Sequence, residues 1–240
     1  MRGDALPVMS FLLALALSSA PSFCTETPTT KPAASHGRPS KGTVDGAAKL
    51  TDTHAARILP KRHQERCLSW GTPRLVEALE RAGRAVQHSL ENTPPLGVGN
   101  IGRPRGGSLA PYSHSHQAGR DADLAFYVLD EKGPRAAEDL EHFDATLKSP
   151  DGKLRFDVPR NWALVKALLT DDTIDVKWLF VSNELKAELL AHARKVKADA
   201  KLITRASEVL HQPSDAPPHD DHFHLRIRCT ADERKADCVD

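Results

Sequence analysis

Apolar residues recur at helical spacing directly after Thr72 and Pro73. Threonine is a favoured N-cap and proline a favoured first helical residue, so we predict an amphipathic helix from there to about Leu90. A second, short helix is predicted after Asn161, which would cap it, and a third begins at Asn183. The apolar positions of the three helices are Leu75, Val76, Leu79, Ala82 and Val86, then Leu164, Val165, Leu168 and Leu169, then Leu185, Leu189, Leu190, Ala193 and Val196, and a further helical stretch covers Leu202–Leu210.

Other apolar runs predict β-strands. Val176–Val181 is the most strand-like segment of the chain, and Leu124–Leu129 has the composition of a buried strand. A short strand is predicted between Leu96 and Ile101. An Asp-Gly pair, a frequent hairpin turn, lies between Phe143–Leu147 and Leu154–Val158, so a hairpin is predicted there.

The segment that starts at His222 alternates strictly between polar and apolar residues, which is the pattern of a half-buried strand. Its apolar face would be buried, and its polar face would present two imidazoles to one cavity. The polar face comprises His222, His224, Arg226 and Arg228, and the apolar face comprises Phe223, Leu225 and Ile227.

Residues 1–24 have the composition of a secretory signal peptide. Arg2 gives a positive n-region, and small residues follow the apolar run Val8–Leu17. This run is too short to cross a bilayer, so no membrane span is expected. The cleavage site stays open, and a lipid anchor at Cys24 is an alternative. We therefore expect a periplasmic or secreted protein.

Residues 25–56 are rich in threonine, proline, serine, glycine and lysine, and apolar residues are sparse among them. Burial of so few apolar groups cannot offset the entropy lost on ordering, so a disordered tether is expected there. The folded domain is then expected over residues 57–240.

Composition limits the classes of function that the chain can have. The 240 residues are enough for one domain, and 33 basic residues nearly cancel 32 acidic ones, which argues against a nucleic-acid partner. Four cysteines agree with an oxidising compartment. Cys229 and Cys238 are close enough in sequence to pair. If Cys24 is removed, Cys67 would be a buried thiol or an intermolecular partner.

Candidate chemistry is densest in Ser113–Asp123, which reads SHSHQAGRDAD. Gly119 tolerates positive φ, so a tight turn there would bring His116 and Asp123 to a common point. Imidazole nitrogen and carboxylate oxygen together suit zinc. With His224 added, three protein ligands and a water at the fourth position would give the pattern of a catalytic zinc site.

The neighbouring polar residues have weaker signals. His222 and His219 are candidates for proton transfer or transition-state stabilisation. Asp121 is interpreted as a structural residue of the turn. Asp220 and Asp221 are interpreted as solvated loop carboxylates, with a hydrogen bond to a ligating imidazole as the alternative, and Arg226 and Arg228 as either a solvated face or clamps for a substrate carboxylate.

Two segments resemble the penicillin-insensitive murein endopeptidase family of the LAS metallopeptidase superfamily. Ser115–Asp123 matches the pattern S-H-Q-x-G-x-D-x-D, and His219–Cys229 matches H-x-x-H-x-H-x-R-x-R-C. Weaker similarity begins near Cys67 and includes Gly99–Gly107 and Asp151–Lys153. The resemblance therefore covers most of the segment that is expected to fold.

This resemblance implies an α+β fold with a small antiparallel sheet and flanking helices. It implies Zn²⁺ bound by His116, Asp123 and His224, with His222 as the catalytic histidine and His219 assisting it. The implied reaction is hydrolysis of the D-alanyl–meso-diaminopimelyl cross-link of peptidoglycan by attack of metal-bound water. Peptidoglycan peptides are then the expected partners.

Two other functions stay open at this point. One is that of a D-alanyl-D-alanine carboxypeptidase or dipeptidase of the same superfamily, and the other is a non-catalytic, zinc-containing module that binds peptidoglycan. The family pattern is also incomplete here, because Ser113 and Leu154 stand where the family has histidines. An accessory metal site involving His114 or Asp151 is therefore an open question.

Overall fold

The protein is organised around one six-stranded sheet. The computed structural model describes residues 26–59 and 66–240. The strands of this part of the chain are β1 (Ala34–Arg38), β2 (Lys41–Asp45), β3 (Ala48–Lys49), β4 (Ala56–Ile58), β5 (Trp70–Gly71), β6 (Leu96–Val98), β7 (Asp121–Ala125), β8 (Val128–Asp130), β9 (Gly133–Arg135), β10 (Arg155–Phe156), β11 (Val176–Phe180), β12 (Leu210–His211) and β13 (His222–Ile227). The helices are α1 (Pro73–Ser89), α2 (Val158–Thr170), α3 (Asn183–Lys195), α4 (Ala200–Val209) and α5 (Ala231–Ala236).

The strand order of the main sheet is β12-β11-β13-β7-β6-β4. The four inner strands pair antiparallel, whereas β12 and β4 pair parallel with their neighbours at the two edges. The expected α+β fold is confirmed, and its sheet is mixed at both edges. The two strands that carry most of the candidate chemistry, β13 and β7, are neighbours at the centre of the sheet.

The apolar face of β13 faces the core. Phe223, Leu225 and Ile227 have no exposed surface and belong to a cluster of buried residues that includes side chains of α1, α2 and α3. The predicted alternation is therefore confirmed. Burial of this face fixes the strand, so that the histidines on its other face are held by a rigid element.

The helix that was predicted after Thr72 is present as α1, and the one predicted at Asn183 is present as α3. The prediction that Asn161 caps α2 is wrong. Asp157 is the cap, since its carboxylate accepts a hydrogen bond from the backbone N–H of Arg160. Asn161 lies one turn further on, where its side-chain amide is hydrogen-bonded to the backbone N–H and C=O of Tyr127.

The predicted strand at Leu124–Leu129 is divided between β7 and β8. The predicted hairpin is only partly present, because Phe143–Leu147 is not a strand and β10 pairs with β8 instead. The Phe143 ring packs edge-on against Phe126, 6.0 Å between centroids, and the ring of Phe156 packs against both. Aromatic packing therefore helps to hold this segment against the core.

The expectation of a disordered tether over residues 25–56 is wrong for most of that segment. β1 and β2 form a hairpin whose Ser35 and Val44 are buried. Ser35 donates a hydrogen bond from Oγ to the carbonyl of Ala118 and accepts one from the buried guanidinium of Arg120. Few apolar residues suffice here because the ordering comes from polar contacts with distant parts of the chain.

The C-terminal segment is hydrogen-bonded to Arg120 as well, and we call these contacts the C-terminal clamp. Arg120 donates to the carbonyl oxygens of Ile227 and Val239, and its Nη1 lies 3.3 Å from Oδ1 of Asp240. The predicted disulfide between Cys229 and Cys238 is present and closes the tail into a loop.

Cys67 is also disulfide-bonded, so of the states left open for it the free thiol is not the one present. The signal peptide predicted for residues 1–24 and the alternative lipid anchor at Cys24 lie outside the described residues. In the part of the chain that the structure describes, no helix combines the length and the apolar character needed to cross a bilayer.

Candidate metal centre

The turn predicted at Gly119 is present and positions two of the candidate ligands. Gly119 has φ of +66°, and a Cβ there would lie 2.9 Å from the side chain of Val44. His116 itself has φ of +66°, an uncommon conformation for a residue with a side chain. The chain then enters β7 at Asp121, so that Asp123 lies on a strand of the central sheet.

The third candidate ligand comes from the adjacent strand. β13 pairs antiparallel with β7 in a register that places His224 opposite Asp123 and Arg226 opposite Asp121. Directly opposite residues of an antiparallel pair have their side chains on the same face of the sheet. The pairing thus brings the two sequence motifs, about a hundred residues apart, to one point.

Three histidine nitrogens surround one carboxylate oxygen. Oδ1 of Asp123 lies 3.1 Å from Nε2 of His116, 3.3 Å from Nε2 of His222 and 3.4 Å from Nδ1 of His224. The residues His116, Asp123 and His224 are all buried, and one ligand atom of each lies within 4.8 Å of the other two. His219, His222 and His224 form a second group whose ligand atoms also lie within 4.8 Å of one another.

The donor set fits a bound cation. Oδ1 of Asp123 is buried, and among the described residues no donor makes a hydrogen bond of good geometry to it despite the three nearby nitrogens. Acceptor atoms that face one another are stabilised only by a proton or a cation between them. Tetrahedral zinc with bonds of about 2.0–2.1 Å would separate its ligand atoms by about 3.3 Å. The observed separations from His116 and His224 to Asp123 are 3.1 and 3.4 Å.

In each of the three imidazoles, one nitrogen faces Asp123, and the second nitrogen makes a contact that orients the ring. His116 donates from Nδ1 to the carbonyl of Ile101 at 2.8 Å, which leaves Nε2 free to bind a cation. His224 donates from Nε2 to Asp121 at 3.2 Å and turns Nδ1 towards Asp123. A hydrogen bond of this kind fixes the tautomer of a metal-binding histidine.

His222 has the corresponding contact on the rim of the cluster. Its Nδ1 lies 2.6 Å from a carboxylate oxygen of Asp221, and its Nε2 points towards Asp123. His222 is partly exposed, whereas His116 is 1% exposed. It is therefore placed to contact both the buried carboxylate and a molecule arriving from solvent.

Electrostatics separate the two histidines that were predicted to be catalytic. Burial opposes a charge on His222, but Asp123 and Asp221 outweigh it and raise the pKa of His222 to about 10. Burial together with the nearby His222 and His224 lowers the pKa of His219 to about 4. Before a metal binds, His222 is therefore a proton donor at neutral pH, whereas His219 is a neutral ring.

The remaining rings of the site form a compact cluster of tilted and edge-on contacts. The His219 ring lies 5.1 Å from that of His222 and 5.7 Å from that of His224, between centroids. Phe180 packs against both His219 and His224, at 5.6 and 5.4 Å. Nδ1 of His219 is buried and has no hydrogen-bond partner within the described ranges.

Two residues have closer contacts with the site than the sequence indicated. Asp221, interpreted as a solvated loop carboxylate, is instead hydrogen-bonded to His222, which is not one of the predicted ligands. Asn100, which sequence reasoning missed, donates from its side chain to Oδ2 of Asp123 at 3.3 Å. A polar residue inside the glycine-rich segment before the histidines was the only signal for it.

Other candidates lie apart from the centre. Asp220 is bound to His142, and Arg228 pairs with Asp175 and Asp240. Neither His114 nor Asp151 belongs to a group of potential ligands in the described chain. Asp151 is exposed and accepts hydrogen bonds from its neighbours Ser149 and Lys153. The structure therefore does not bring an accessory metal site together from these two residues.

Comparison with known proteins identifies the family of this chain. The family model for penicillin-insensitive murein endopeptidase matches residues 35–240. Penicillin-insensitive murein endopeptidases of Escherichia coli O1:K1 and of Escherichia coli strain SMS-3-5 are each 30% identical over 231 residues, which cover 92% of this chain and 77% of theirs. The match begins within β1 and spans both sequence motifs and all the residues of the candidate centre. The chain belongs to the penicillin-insensitive murein endopeptidase family.

Proposed function

We propose that the protein is a zinc-dependent endopeptidase that hydrolyses peptide cross-links of peptidoglycan, at the D-alanyl–meso-diaminopimelyl bond. It would act in the periplasm or outside the cell, where this polymer lies. The observation that carries the proposal is the convergence of His116, Asp123 and His224 beside two further histidines. The names of the relatives, which are murein endopeptidases, give the substrate class.

His116, Asp123 and His224 would hold the metal, because each offers a buried ligand atom and each imidazole is oriented by a partner. Bound zinc would supply Lewis-acid chemistry, which polarises a carbonyl oxygen and lowers the pKa of water. Three protein ligands leave a position for a further group, as catalytic zinc sites require.

His222 and His219 would transfer the proton and stabilise the oxyanion charge. His222 is linked to Asp221, which holds the ring in place and stabilises its protonated form. In that form Nε2 is a hydrogen-bond donor that can stabilise a developing oxyanion or protonate the leaving amine. His219 stays neutral and lies against His222, so it can hold a substrate group or accept a proton.

Metal analysis and product analysis test the proposal together. The purified protein should contain close to one zinc per chain, and zinc-loaded protein should convert cross-linked muropeptide dimers into monomers, as followed by mass spectrometry. Release of D-alanine from monomers alone would instead identify a carboxypeptidase or dipeptidase. A zinc-loaded protein that binds peptidoglycan without cleaving it would identify a binding module.

His116→Ala should abolish both zinc binding and cleavage, because it removes one of three ligands. His114→Ala is the matched control, since this histidine is two residues away and lies outside both groups of potential ligands in the described chain. Full cleavage by His116→Ala would refute the proposal.

A further inference from the structure

We propose that Asp121 and Arg226 are positioning residues that hold His224 in the orientation needed to bind the metal. The inference rests on the proposed zinc site and assigns a role to two residues outside the ligand set. Sequence reasoning gave Asp121 only to the turn and left Arg226 between a solvated face and a substrate clamp.

Asp121 is a completely buried carboxylate with three contacts. It accepts a hydrogen bond from the backbone N–H of His116 at 3.1 Å, from Nε2 of His224 at 3.2 Å and from Nε of Arg226 at 2.6 Å. Two of these partners are residues of the candidate ligand set. One side chain thus connects the turn that carries the first ligand to the strand that carries the last.

Arg226 provides the positive charge that a buried carboxylate requires. It lies directly opposite Asp121 in the pairing of β13 with β7, and its guanidinium carbon is 5.6 Å from the centre of the Phe180 ring. Phe180 covers His224 as well. In the described chain, Asp121 accounts for all the hydrogen bonds of the Arg226 side chain, so its strongest contact is with the residue that orients His224.

The chemical consequence concerns the tautomer of His224. A neutral imidazole carries its proton on one nitrogen and a lone pair on the other. Ionised Asp121 can only accept hydrogen bonds, and its contact with Nε2 has hydrogen-bond geometry whereas the contact of Asp123 with Nδ1 does not. The proton of His224 therefore stays on Nε2, and the lone pair of Nδ1 faces Asp123. An amide at position 121 could donate as well as accept, and would no longer select between the two tautomers.

Zinc affinity and the tautomer of His224 test this role. Asp121→Asn should weaken zinc binding by about 10–100-fold, the usual effect of losing such a partner. In the metal-free protein, long-range ¹H–¹⁵N spectra of the His224 ring should show one tautomer for the native protein and a mixture for the variant. A residue that only supports the fold would leave the native tautomer in place.

Arg226→Lys provides a second variant if Asp121→Asn fails to fold. It keeps the charge but removes the Nε donor, and we expect weaker zinc binding in the same direction. Arg228→Lys is the matched control, because Arg228 is the next residue on the same face of the chain and pairs with Asp175 and Asp240. It should bind zinc as the native protein does.

The outcomes separate this inference from the proposed function. If the native protein binds zinc and both variants bind it equally well with an unchanged tautomer, the positioning role is refuted and the zinc site stands. If the native protein itself binds no zinc, the proposed function fails, and the inference fails with it.

Discussion

At the scale of single residues, the chemistry of the site is concentrated on one oxygen atom. Oδ1 of Asp123 faces three histidine nitrogens within 3.4 Å and is buried. Burial disfavours the charge of this carboxylate, but His116 and His222 outweigh that effect and hold its pKa well below the usual range. The site is therefore ready for a cation before any cation arrives.

This arrangement predicts that zinc and protons compete for the same atoms. Burial opposes the protonation of His116, but Asp123 outweighs it and raises the pKa of His116 above its ordinary value of 6.5. A bound metal requires the neutral ring, so zinc and a proton compete for His116. Zinc affinity should therefore increase with pH through the neutral range, and activity should fall away below about pH 6.

Titration calorimetry can detect the displaced proton. Measured at pH 7 in buffers of different ionisation enthalpy, the apparent enthalpy of zinc binding should differ between buffers in proportion to the protons released. Identical enthalpies in all buffers, or an undiminished rate of cleavage at pH 4.5, would contradict this prediction.

The residue scale also shows what the sequence could not predict. His116, Asp123, His222 and His224 were identified from spacing because ligand types and strand alternation are local properties of the chain. The role of Asp121 was missed because its main partner, Arg226, is 105 residues away. Contacts of that range depend on the pairing of strands, which no local pattern specifies.

At the scale of elements, the two faces of β13 have different roles: one stabilises the fold, and the other carries residues of the candidate site. One face of this strand is buried in the core, and the other presents His222 and His224 to the site. This division follows from the period of two along a strand, and it was predictable for that reason. Where an element lacked such a period, as at Phe143–Leu147, the local pattern gave the wrong structure.

The two faces of β13 should respond differently to substitution. Leu225→Ala removes a completely buried side chain and should lower the free energy of unfolding by about 2–5 kcal/mol. Because Leu225 points away from the ligands, zinc affinity of the folded variant should change far less. Urea unfolding followed by circular dichroism measures the first quantity, and calorimetry measures the second.

Val196→Ala is a suitable control for this experiment, since Val196 is 51% exposed and its truncation should change stability by no more than about 0.5 kcal/mol. A Leu225→Ala variant as stable as this control would mean that the apolar face of β13 is not part of the core.

At the scale of the whole molecule, the N-terminal hairpin and the C-terminal tail are joined behind the site. Arg120 binds Ser35 from the hairpin and Val239 from the tail, and Glu233 of α5 accepts hydrogen bonds from the backbone of Ser35 and from Arg74. Composition alone suggested a tether here, because composition contains no information about contacts between residues 198 apart.

The role of the segment that contains the hairpin and β3 can be tested by truncation. A chain of residues 57–240, the length that the sequence pattern predicted for the domain, leaves the Arg120 guanidinium without Ser35 and exposes the surface that Val44 covers. Because the truncation removes a buried hydrogen bond together with the buried apolar side chains of Val44 and Leu50, we expect a large drop in the midpoint of thermal unfolding, or loss of the fold.

A chain of residues 26–240 is the reference for this measurement, since it keeps β1 and β2. Equal unfolding temperatures and equally dispersed amide spectra for the two chains would show that the hairpin is dispensable.

The C-terminal clamp determines where an affinity tag should be attached. The Asp240 side chain accepts a hydrogen bond from the backbone of Cys229 at 2.7 Å and lies against Arg120, the residue before Asp121. An affinity tag fused directly after Asp240 would disturb these contacts of Asp240, which are connected to His224 through Arg120 and Asp121. A tag for purification or immobilisation should therefore be placed between the predicted signal peptide and the β1–β2 hairpin.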